Sequence, residues 1–587
     1  MVLISRTSPK RLFVLTILAA CIGMLGGAAA FLLVHLIGLL TNLLLFHRVG
    51  WDLPSFAHLH RSPALVLVPM GGAFVVSCLA RWSPEIRGHG IPEAMEAVLS
   101  NQSRVRPRTA VAKPISAAIA IGTGGPFGAE GPIIVTGGAI GSLVGQVVPT
   151  SPSERKILLA CGAAAGMSAT FGSPLAAVVL AIELLLFEFS SRAFVPLVVA
   201  SSLAAGVHSI AFGSGPLFHV PPHDYTGLDK LPFYALLGVA CGLLAVIVTK
   251  GLFLAESGFR RLPIDPFWHP VIGAAGFALI GLAVPRALGV GYDAISDVLA
   301  SRLALGTVLV LGLAKVGAWW IALASGTSGG TLAPLLLISG CFGTAVGVGV
   351  EHLVPSAQVS PGAFALVAMA ATFGASVGAT FTAIVFLFEL TRDYQIILPL
   401  MLASVLAQLV ASALLTDTLM TEKLTRRGLH VQGDYGIDAL EGSTVREIMT
   451  TEVETLDQRA TVAEARELLA HGPHGAYPIV DGDGRCVGIV AREDFLEDTA
   501  DEVAPISEVA STNVVTVSAD DTVLDALSRI LDEGIGHLPV VDGDRLIGLV
   551  TRTDVLRARS HQRELEHRQP GLRIRPRARS AATRDEG

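Results

Sequence analysis

Residues 124–132 read GGPFGAEGP and residues 325–334 read SGTSGGTLAP, two glycine-rich segments that each end in a proline and run into a long apolar stretch. Glycine lets a backbone approach a ligand closely, and proline near the first helical position suits a helix start. We therefore expect one helix to begin at each segment. The first amides of a helix have no intrahelical partner, and the aligned peptide dipoles place a partial positive charge there. Two such ends predict an anion-binding site.

The composition is that of a polytopic membrane protein. Of 587 residues, 51% are hydrophobic and 16% are charged, and the mean hydropathy is +0.61. These values exclude an ordinary soluble protein of this size. Apolar runs follow one another from about residue 11 to 415, and several are shorter than the roughly 20 residues of a full span. The short runs predict helices that stop inside the membrane.

Glu130 is the acidic residue of the first glycine-rich segment, and it lies in an otherwise apolar region. A carboxylate at bilayer depth costs roughly 2.5 to 3.5 kcal/mol, so it indicates a functional site. The alternative is a helix cap, since a glutamate near a helix N-terminus contributes about 0.3 to 1 kcal/mol in exposed settings. Capping alone does not explain a charge in hydrocarbon, and we expect Glu130 to act on the anion site.

The membrane region contains an internal repeat at an offset of 202 residues. The tetrapeptide ATFG at 169–172 recurs at 371–374, and Glu183 and Glu389 follow the two copies. The same offset aligns six further pairs: Gly124 with Gly326, Gly128 with Gly330, Pro132 with Pro334, Gly138 with Gly340, Gly141 with Gly343, and Gly145 with Gly347. Internal duplication is typical of transporter folds whose substrate sites lie where the repeats meet.

A third segment predicts a helix start, and the basic residues predict the orientation of the chain in the membrane. Residues 88–93 read GHGIPE, with glycine followed by proline as in the other two segments. Basic residues precede the first apolar run and crowd what we expect to be one loop, and the positive-inside rule places both in the cytoplasm. They are Arg6, Lys10 and Arg11, and then Arg104, Arg106, Arg108 and Lys113.

The chain becomes charged and mixed after about residue 430. Two segments there, 445–496 and 506–556, match each other, with Val462 aligned to Val523 and Pro478 to Pro539. Short β-rich runs alternate with helical stretches, which predicts a small α/β unit twice over. Residues 563–587 are rich in arginine and proline and are expected to form a basic disordered tail.

The three glycine-rich segments, in this order, resemble the signatures of the CLC family of chloride channels and proton-coupled chloride transporters, and the tail resembles a pair of CBS domains. The resemblance implies an all-α polytopic membrane domain over residues 1–430, with inverted repeats and broken helices. A cytoplasmic α/β domain over residues 431–562 follows, with one CBS motif at 443–500 and one at 503–560. It also implies a homodimer in the plasma (inner) membrane, with the N-terminus and the CBS domains in the cytoplasm.

The same resemblance implies that Glu130 is the gate, occupying an anion site and leaving it when protonated or displaced. The anion-binding residues implied by the three signatures and by the end of the last membrane helix are His89, Gly90, Gly128, Gly131, Thr331, Leu332 and Met420. Chloride is the expected ion, with fluoride, another halide or nitrate left open.

Four positions depart from the family pattern. His89 replaces a serine, Leu332 a phenylalanine and Met420 a tyrosine, so that chloride coordination must rely on backbone amides. Leu184 follows Glu183 where proton-coupled members commonly have a second glutamate. We therefore favour passive, channel-like conduction gated by Glu130. The alternative is a proton-coupled chloride antiporter, in which water or another acid such as Glu188 substitutes.

The CBS pair suggests one nucleotide site. Thr551 three residues before Asp554 fits the pattern in which a carboxylate holds ribose hydroxyls, whereas Ala491 precedes Asp494 in the first copy. An adenine nucleotide at Thr551 and Asp554 is one reading, and a structural aspartate that caps a helix is the other. No other cofactor is expected.

Other function classes find less support in the sequence. CBS pairs also accompany divalent-cation transporters, but Glu130, Glu183, Glu188 and Glu389 do not have metal-ligand spacing. No HExxH motif is present, and the two GxSxG matches, at 326–330 and 374–378, lie within the glycine-rich and apolar segments of the membrane region, so we expect no enzyme. The net charge of −7 is spread out and suggests no nucleic-acid partner.

Overall fold

The computed structural model describes residues 9–100, 102–187, 189–218, 229–428, 443–495 and 501–558. The chain divides into two compact units, Met1–Asp434 and Tyr435–Gly587. Glu188 and the expected basic tail at 563–587 lie outside the described residues.

The first unit is built of α-helices. In chain order they are α1 (Pro9–Leu45), α2 (Ala64–Trp82), α3 (Ile91–Ser100), α4 (Pro107–Gly122), α5 (Glu130–Val147), α6 (Pro152–Phe171), α7 (Pro174–Ala181), α8 (Ser191–Phe212), α9 (Leu231–Arg260), α10 (His269–Ala283), α11 (Tyr292–Leu299), α12 (Leu305–Ala324), α13 (Leu332–Leu353), α14 (Pro361–Val377), α15 (Thr380–Thr391), α16 (Ile397–Leu414) and α17 (Glu422–Arg426). Single 3-10 turns lie at Phe56–His58, Pro84–Ile86, Pro285–Ala287, Pro355–Ala357 and Tyr394–Ile396, and α7 continues as a π-helical turn at Ile182–Leu186.

Helix lengths confirm the prediction of a polytopic helical domain with broken helices. Within the described residues, seven helices are long and apolar enough to cross a membrane: α1, α2, α8, α9, α12, α13 and α16. With 37 residues, α1 is about 55 Å long at ~1.5 Å per residue, which is longer than a hydrocarbon core of roughly 30 Å. By contrast, α3 has 10 residues and α7 and α11 have 8 each, too few to span.

The two repeats are inverted relative to each other. The Ala176 N–H at the start of α7 donates to Glu389 near the end of α15. The Thr382 N–H at the start of α15 donates to Glu183 in the turn that follows α7. The helices α7 and α15 are equivalent in the two repeats, and each begins beside the end of the other. They therefore run in opposite directions. Reciprocal contacts of this kind are the signature of an approximate two-fold axis.

Close helix packing explains part of the glycine pattern. A Cβ atom at Gly166 of α6 would lie 2.6 Å from the Ile133 carbonyl oxygen of α5, and one at Gly347 of α13 would lie 2.9 Å from Cα of Pro361 in α14. The helix pairs α5/α6 and α13/α14 are equivalent in the two repeats. Small residues let the backbones of membrane helices approach closely.

Two of the expected loop residues lie in a helix instead. Arg108 and Lys113 belong to α4, which begins at Pro107, so the basic loop contains only Arg104 and Arg106 of the predicted set. Lys113 is fully buried, because its ammonium donates to the carbonyl oxygens of Ile86 (2.8 Å) and Gly88 (2.9 Å). A buried cation needs such partners, and the positive-inside argument therefore does not apply to Lys113.

The second unit contains the predicted α/β motif twice. The first copy has α18 (Val445–Ile448), β1 (Leu456–Asp457), α19 (Val462–His471), β2 (Ala476–Val480) and β3 (Cys486–Ala491), and the second has β4 (Val517–Ser518), α20 (Val523–Asp532), β5 (His537–Asp542) and β6 (Arg545–Thr551). Each sheet has three strands in the orders β1-β2-β3 and β4-β5-β6, with the first pair parallel and the second antiparallel.

Each copy completes the hydrophobic core of the other. Val445, which precedes the first sheet, packs among Val517, Val540 and other core residues of the second copy. Ile506, which precedes the second sheet, packs with Leu456 and Ile479 of the first copy. The two motifs therefore form one interlocked α/β unit.

Candidate functional site

The N-termini of α5 and α13 meet at the pair Gly128 and Gly330. The Gly128 N–H donates to the Gly330 carbonyl oxygen at 3.2 Å, and the Gly330 N–H donates to the Gly128 carbonyl oxygen at 2.8 Å. Glu130 is the first residue of α5 and Leu332 the first of α13. Two positively polarised helix ends therefore lie together inside the first unit.

The carboxylate of Glu130 lies at the N-terminus of α13. Glu130 is fully buried, and Tyr292 Oη donates a hydrogen bond of 2.9 Å to its Oε1. The backbone N–H of Ala333, the second residue of α13, also interacts with this carboxylate. Within the described residues, Oε2 has no hydrogen bond of good geometry. The Glu130 carboxyl group thus lies where the N-termini of α5 and α13 meet.

The start of α3 packs against the start of α5. Gly90 has φ +103°, and a Cβ atom there would lie 2.5 Å from the Gly131 carbonyl oxygen, so only glycine fits. The Gly90 N–H donates to Glu93 Oε2 at 2.8 Å. Gly90 and Gly131 therefore place α3 against α5, and the Gly90 amide serves the first turn of its own helix.

His89 and Met420 lie on the same side of the site. Both side chains are buried. The imidazole of His89 lies near the carbonyl of Leu419, the residue before Met420, while His89 Nδ1 has no partner in the described part of the chain. The turn that carries Met420 is fixed because the Met420 N–H donates to Thr418 Oγ1 at 3.2 Å.

Unpartnered polar atoms surround the contact of the helix ends. Thr331 precedes α13, and its buried Oγ1 has no hydrogen bond among the described residues, like His89 Nδ1 and Glu130 Oε2. Buried polar atoms are normally paired, and unpaired ones call for a specific explanation. A small polar ligand bound between the N-termini of α5 and α13 would explain these unpaired atoms.

Two cavities approach the site from opposite ends of α1. The larger, about 960 Å³, is lined by Gly88, Glu93, Val135, Gln102 and other residues. Gln102 is hydrogen-bonded to Arg155, next to Glu154, which pairs with Arg11 at the start of α1. The smaller cavity, about 140 Å³, is lined by Thr41 near the end of α1 and by Gly289 to Asp293. Arg11 and Thr41 are thirty residues apart along α1, which corresponds to about 45 Å, so the two cavities lie near opposite ends of this helix.

The larger cavity is highly charged. Its lining includes the basic residues Arg87, Arg104, Arg106, Lys423 and Arg427 and the acidic residues Glu85, Glu93, Glu96 and Glu256. Lys423 Nζ lies 3.7 Å from Glu93 Oε1. The cavity therefore offers a polar approach to the start of α3.

Three residues of the site were not predicted to take part. Tyr292 bonds to Glu130, and Lys113 and Lys315 each hold two carbonyl groups of a glycine-rich turn. A signal was present in the repeat, because GHGI at 88–91 aligns with GVGY at 289–292 at an offset of 201. Lys113 and Lys315 are 202 residues apart, which is the offset of the other repeat pairs.

Glu183 and Leu184 lie in the π-helical turn after α7. The Glu183 carboxylate accepts hydrogen bonds from the start of α15, and Leu184 is buried. The chain thus has a buried apolar residue, Leu184, directly after Glu183.

Thr551 and Asp554 contact each other in the second unit. The Thr551 N–H and Oγ1 both donate to Asp554 Oδ2, at 2.9 and 2.7 Å. In the first copy, the Ala491 N–H donates to Asp494 Oδ2 at 2.7 Å. The aspartate caps the following turn in both copies, and the threonine hydroxyl distinguishes the second.

Comparison with known proteins agrees with this architecture. The sequence profile described as voltage gated chloride channel matches residues 71–412, and the CBS domain profile matches 445–500 and 506–561. The H(+)/Cl(-) exchange transporter ClcA of Vibrio campbellii is 30% identical over 448 residues, covering 73% of this chain and 94% of the relative.

Two solved structures share the fold. A slow cyanobacterial Cl-/H+ antiporter superposes with a TM-score of 0.62 at 24% identity, covering 72% of this chain and 98% of that structure. A eukaryotic CLC transporter superposes with a TM-score of 0.59 at 19% identity, covering 92% of this chain and 98% of that structure. Helix ends that converge on a buried glutamate, inverted repeats and a CBS pair thus occur together with a matching family profile, and this chain belongs to the CLC family of integral membrane anion transporters.

Proposed function

We propose that this protein exchanges chloride for protons across the membrane, with Glu130 as the gate. The observation that carries the proposal is the buried Glu130 carboxylate at the N-terminus of α13. An ionised carboxylate competes with chloride for the same positive helix end. When Glu130 takes up a proton, its attraction to that helix end falls, and chloride takes its place.

The identity of the relatives favours proton coupling over the channel-like conduction that Leu184 led us to expect. ClcA of Vibrio campbellii, which matches over almost its whole length, is named an exchange transporter. Coupled exchange also needs a proton route from Glu130 to the other side of the membrane. With Leu184 apolar, water or another acid must serve that route.

Passive conduction is the second candidate, and Leu184 is the observation that favours it. The neighbouring acid, Glu183, is engaged with the backbone of α15. A chain with no protonatable group on the inner side would let chloride pass without moving a proton in return.

Backbone groups are the proposed chloride ligands. Leu332 and Met420 offer no polar side-chain atom, whereas the ends of α5 and α13 offer peptide N–H groups. Gly128, Gly131 and Thr331 place those ends, and His89 lines the same site from the turn before α3. The larger cavity lies beside Arg104 and Arg106, so the positive-inside rule assigns it to the cytoplasm. We further infer a homodimer with one pathway in each subunit.

Flux from liposomes that contain the full-length protein tests the proposal. A chloride gradient should drive protons uphill at a fixed ratio, measured with a pH electrode and a chloride electrode. Chloride flux without proton movement would replace exchange by passive conduction.

Variants at Glu130 test the gate. Glu130→Gln and Glu130→Ala should keep or raise chloride flux and abolish proton movement, because neither side chain ionises. Glu351→Gln, at an exposed acid near the end of α13, is the matched control and should behave as the parent protein. Unaltered proton and chloride fluxes in both Glu130 variants would remove Glu130 from the mechanism.

A further inference from the structure

The hydroxyl of Tyr292 distinguishes two otherwise equivalent turns. Gly88 and Gly90 have φ +101° and +103°, and Gly289 and Gly291 have φ +62° and +85°. A short helix follows each pair, α3 from Ile91 and α11 from Tyr292. The repeat therefore builds the same turn on each side of Glu130, with an apolar residue on one side and a hydroxyl donor on the other.

A buried lysine fixes each turn. Lys113 donates to the carbonyl oxygens of Ile86 and Gly88, at 2.8 and 2.9 Å. Lys315 donates to those of Ala287 and Gly289, at 3.1 and 2.8 Å. Both lysines are fully buried. The backbone that carries Tyr292 is thus held by a charged donor and cannot shift freely.

Aromatic packing fixes the Tyr292 ring as well. Its ring centre lies 6.3 Å from that of Phe171 and 6.1 Å from that of Phe218, both in edge-on arrangements. Next along α11, Asp293 accepts from Ser55 Oγ at 2.5 Å and lies 3.6 Å from Arg286. The hydroxyl is therefore presented to Glu130 by a rigid support, as a preorganised donor requires.

We propose that Tyr292 is a positioning residue whose hydrogen bond holds the Glu130 carboxylate in the anion site. We call this hydrogen bond the latch. The latch rests on the proposed role of Glu130 as the gate. Tyr292 Oη donates to Glu130 Oε1, and the same residue lines the smaller cavity at the far end of α1. Tyr292 thus contacts both the gate and that cavity. Glu130 must give up this hydrogen bond before chloride displaces it.

Chloride binding to the detergent-solubilised, full-length protein tests the latch. Isothermal titration with chloride should give a dissociation constant about tenfold lower for Tyr292→Phe than for the parent protein. This is the change expected when a competing carboxylate loses one hydrogen bond made to a charged group. Tyr394→Phe, at an exposed tyrosine, is the control and should leave the constant unchanged.

A double-mutant cycle separates the latch from a structural effect and from failure of the gate itself. Glu130→Ala should tighten chloride binding, and adding Tyr292→Phe to it should change nothing further, because no carboxylate remains to be held. If Tyr292→Phe has no effect in the parent, or the same effect in both backgrounds, the latch is wrong. If Glu130→Ala itself leaves chloride binding unaltered, the gate fails and the latch with it.

Discussion

Glu183 and Glu389 cap the N-termini of each other's helices. Glu183 Oε1 accepts from the Phe381 N–H at 3.2 Å and Oε2 from the Thr382 N–H at 2.8 Å, both at the start of α15. Glu389 in α15 accepts from the Leu175 N–H at 3.0 Å and the Ala176 N–H at 2.7 Å, at the start of α7. These four hydrogen bonds join the two repeats and give a partner to four helix-end N–H groups that have none within their own helices.

Removing either cap should destabilise the first unit. Glu183→Ala and Glu389→Ala should each lower the free energy of unfolding by about 2 kcal/mol, because two helix-end amides lose a charged acceptor. Thermal unfolding of the full-length protein in detergent measures the change. Glu351→Ala, at an exposed position, serves as the control. Equal unfolding temperatures for the Glu183, Glu389 and Glu351 variants would contradict a stabilising role for the caps.

The buried lysines Lys113 and Lys315 should be required for both stability and transport. Methionine at either position keeps most of the side-chain volume but leaves two buried carbonyl groups without a donor, at a cost of about 2 kcal/mol or more. We expect lower unfolding temperatures and reduced chloride flux for Lys113→Met and Lys315→Met.

Lys250→Met supplies the comparison for the lysine variants, because Lys250 is exposed on α9. Parent-like stability and flux in the Lys113 and Lys315 variants would show that the two turns do not depend on their lysines.

His89 should weaken chloride binding relative to serine, the residue that the family pattern has at this position. A ring nitrogen of His89 lies near the Leu419 carbonyl; if that nitrogen carries the proton of a neutral imidazole, the other nitrogen has a lone pair and cannot donate to an anion. A serine hydroxyl can donate. His89→Ser should lower the dissociation constant for chloride several-fold at pH 7.5, as measured by calorimetry.

His352→Ser, at an exposed histidine of α13, is the control for the His89 variant. Weaker chloride binding in His89→Ser would mean that the imidazole is itself a useful anion ligand.

Binding of an adenine nucleotide to the CBS pair remains a prediction. Calorimetry on the full-length protein with ATP, ADP and AMP should give heat that Asp554→Ala abolishes and that Asp494→Ala retains, since only Asp554 has a threonine three residues earlier. No heat at millimolar nucleotide would leave Asp554 with the capping role that its bonds to Thr551 already show.

Local patterns in the sequence determined the fold class, the repeat and the location of Glu130. A glycine-rich segment followed by proline indicates a helix start, since both residue types act through their own backbone geometry. Apolar runs likewise indicate membrane helices without reference to the rest of the chain. The segments GHGIPE, GAEGP and GGTLAP therefore predict the starts of α3, α5 and α13.

Only the tertiary structure decided which side chains act on Glu130. Tyr292 is 162 residues away along the chain, and an isolated tyrosine has no pattern that assigns it a partner. Lys113 follows three arginines and resembles a loop cation, yet its ammonium is drawn into the protein by two carbonyl groups of another segment. Hydrogen bonds of this kind depend on distances in space, which only the packing of the two inverted repeats creates.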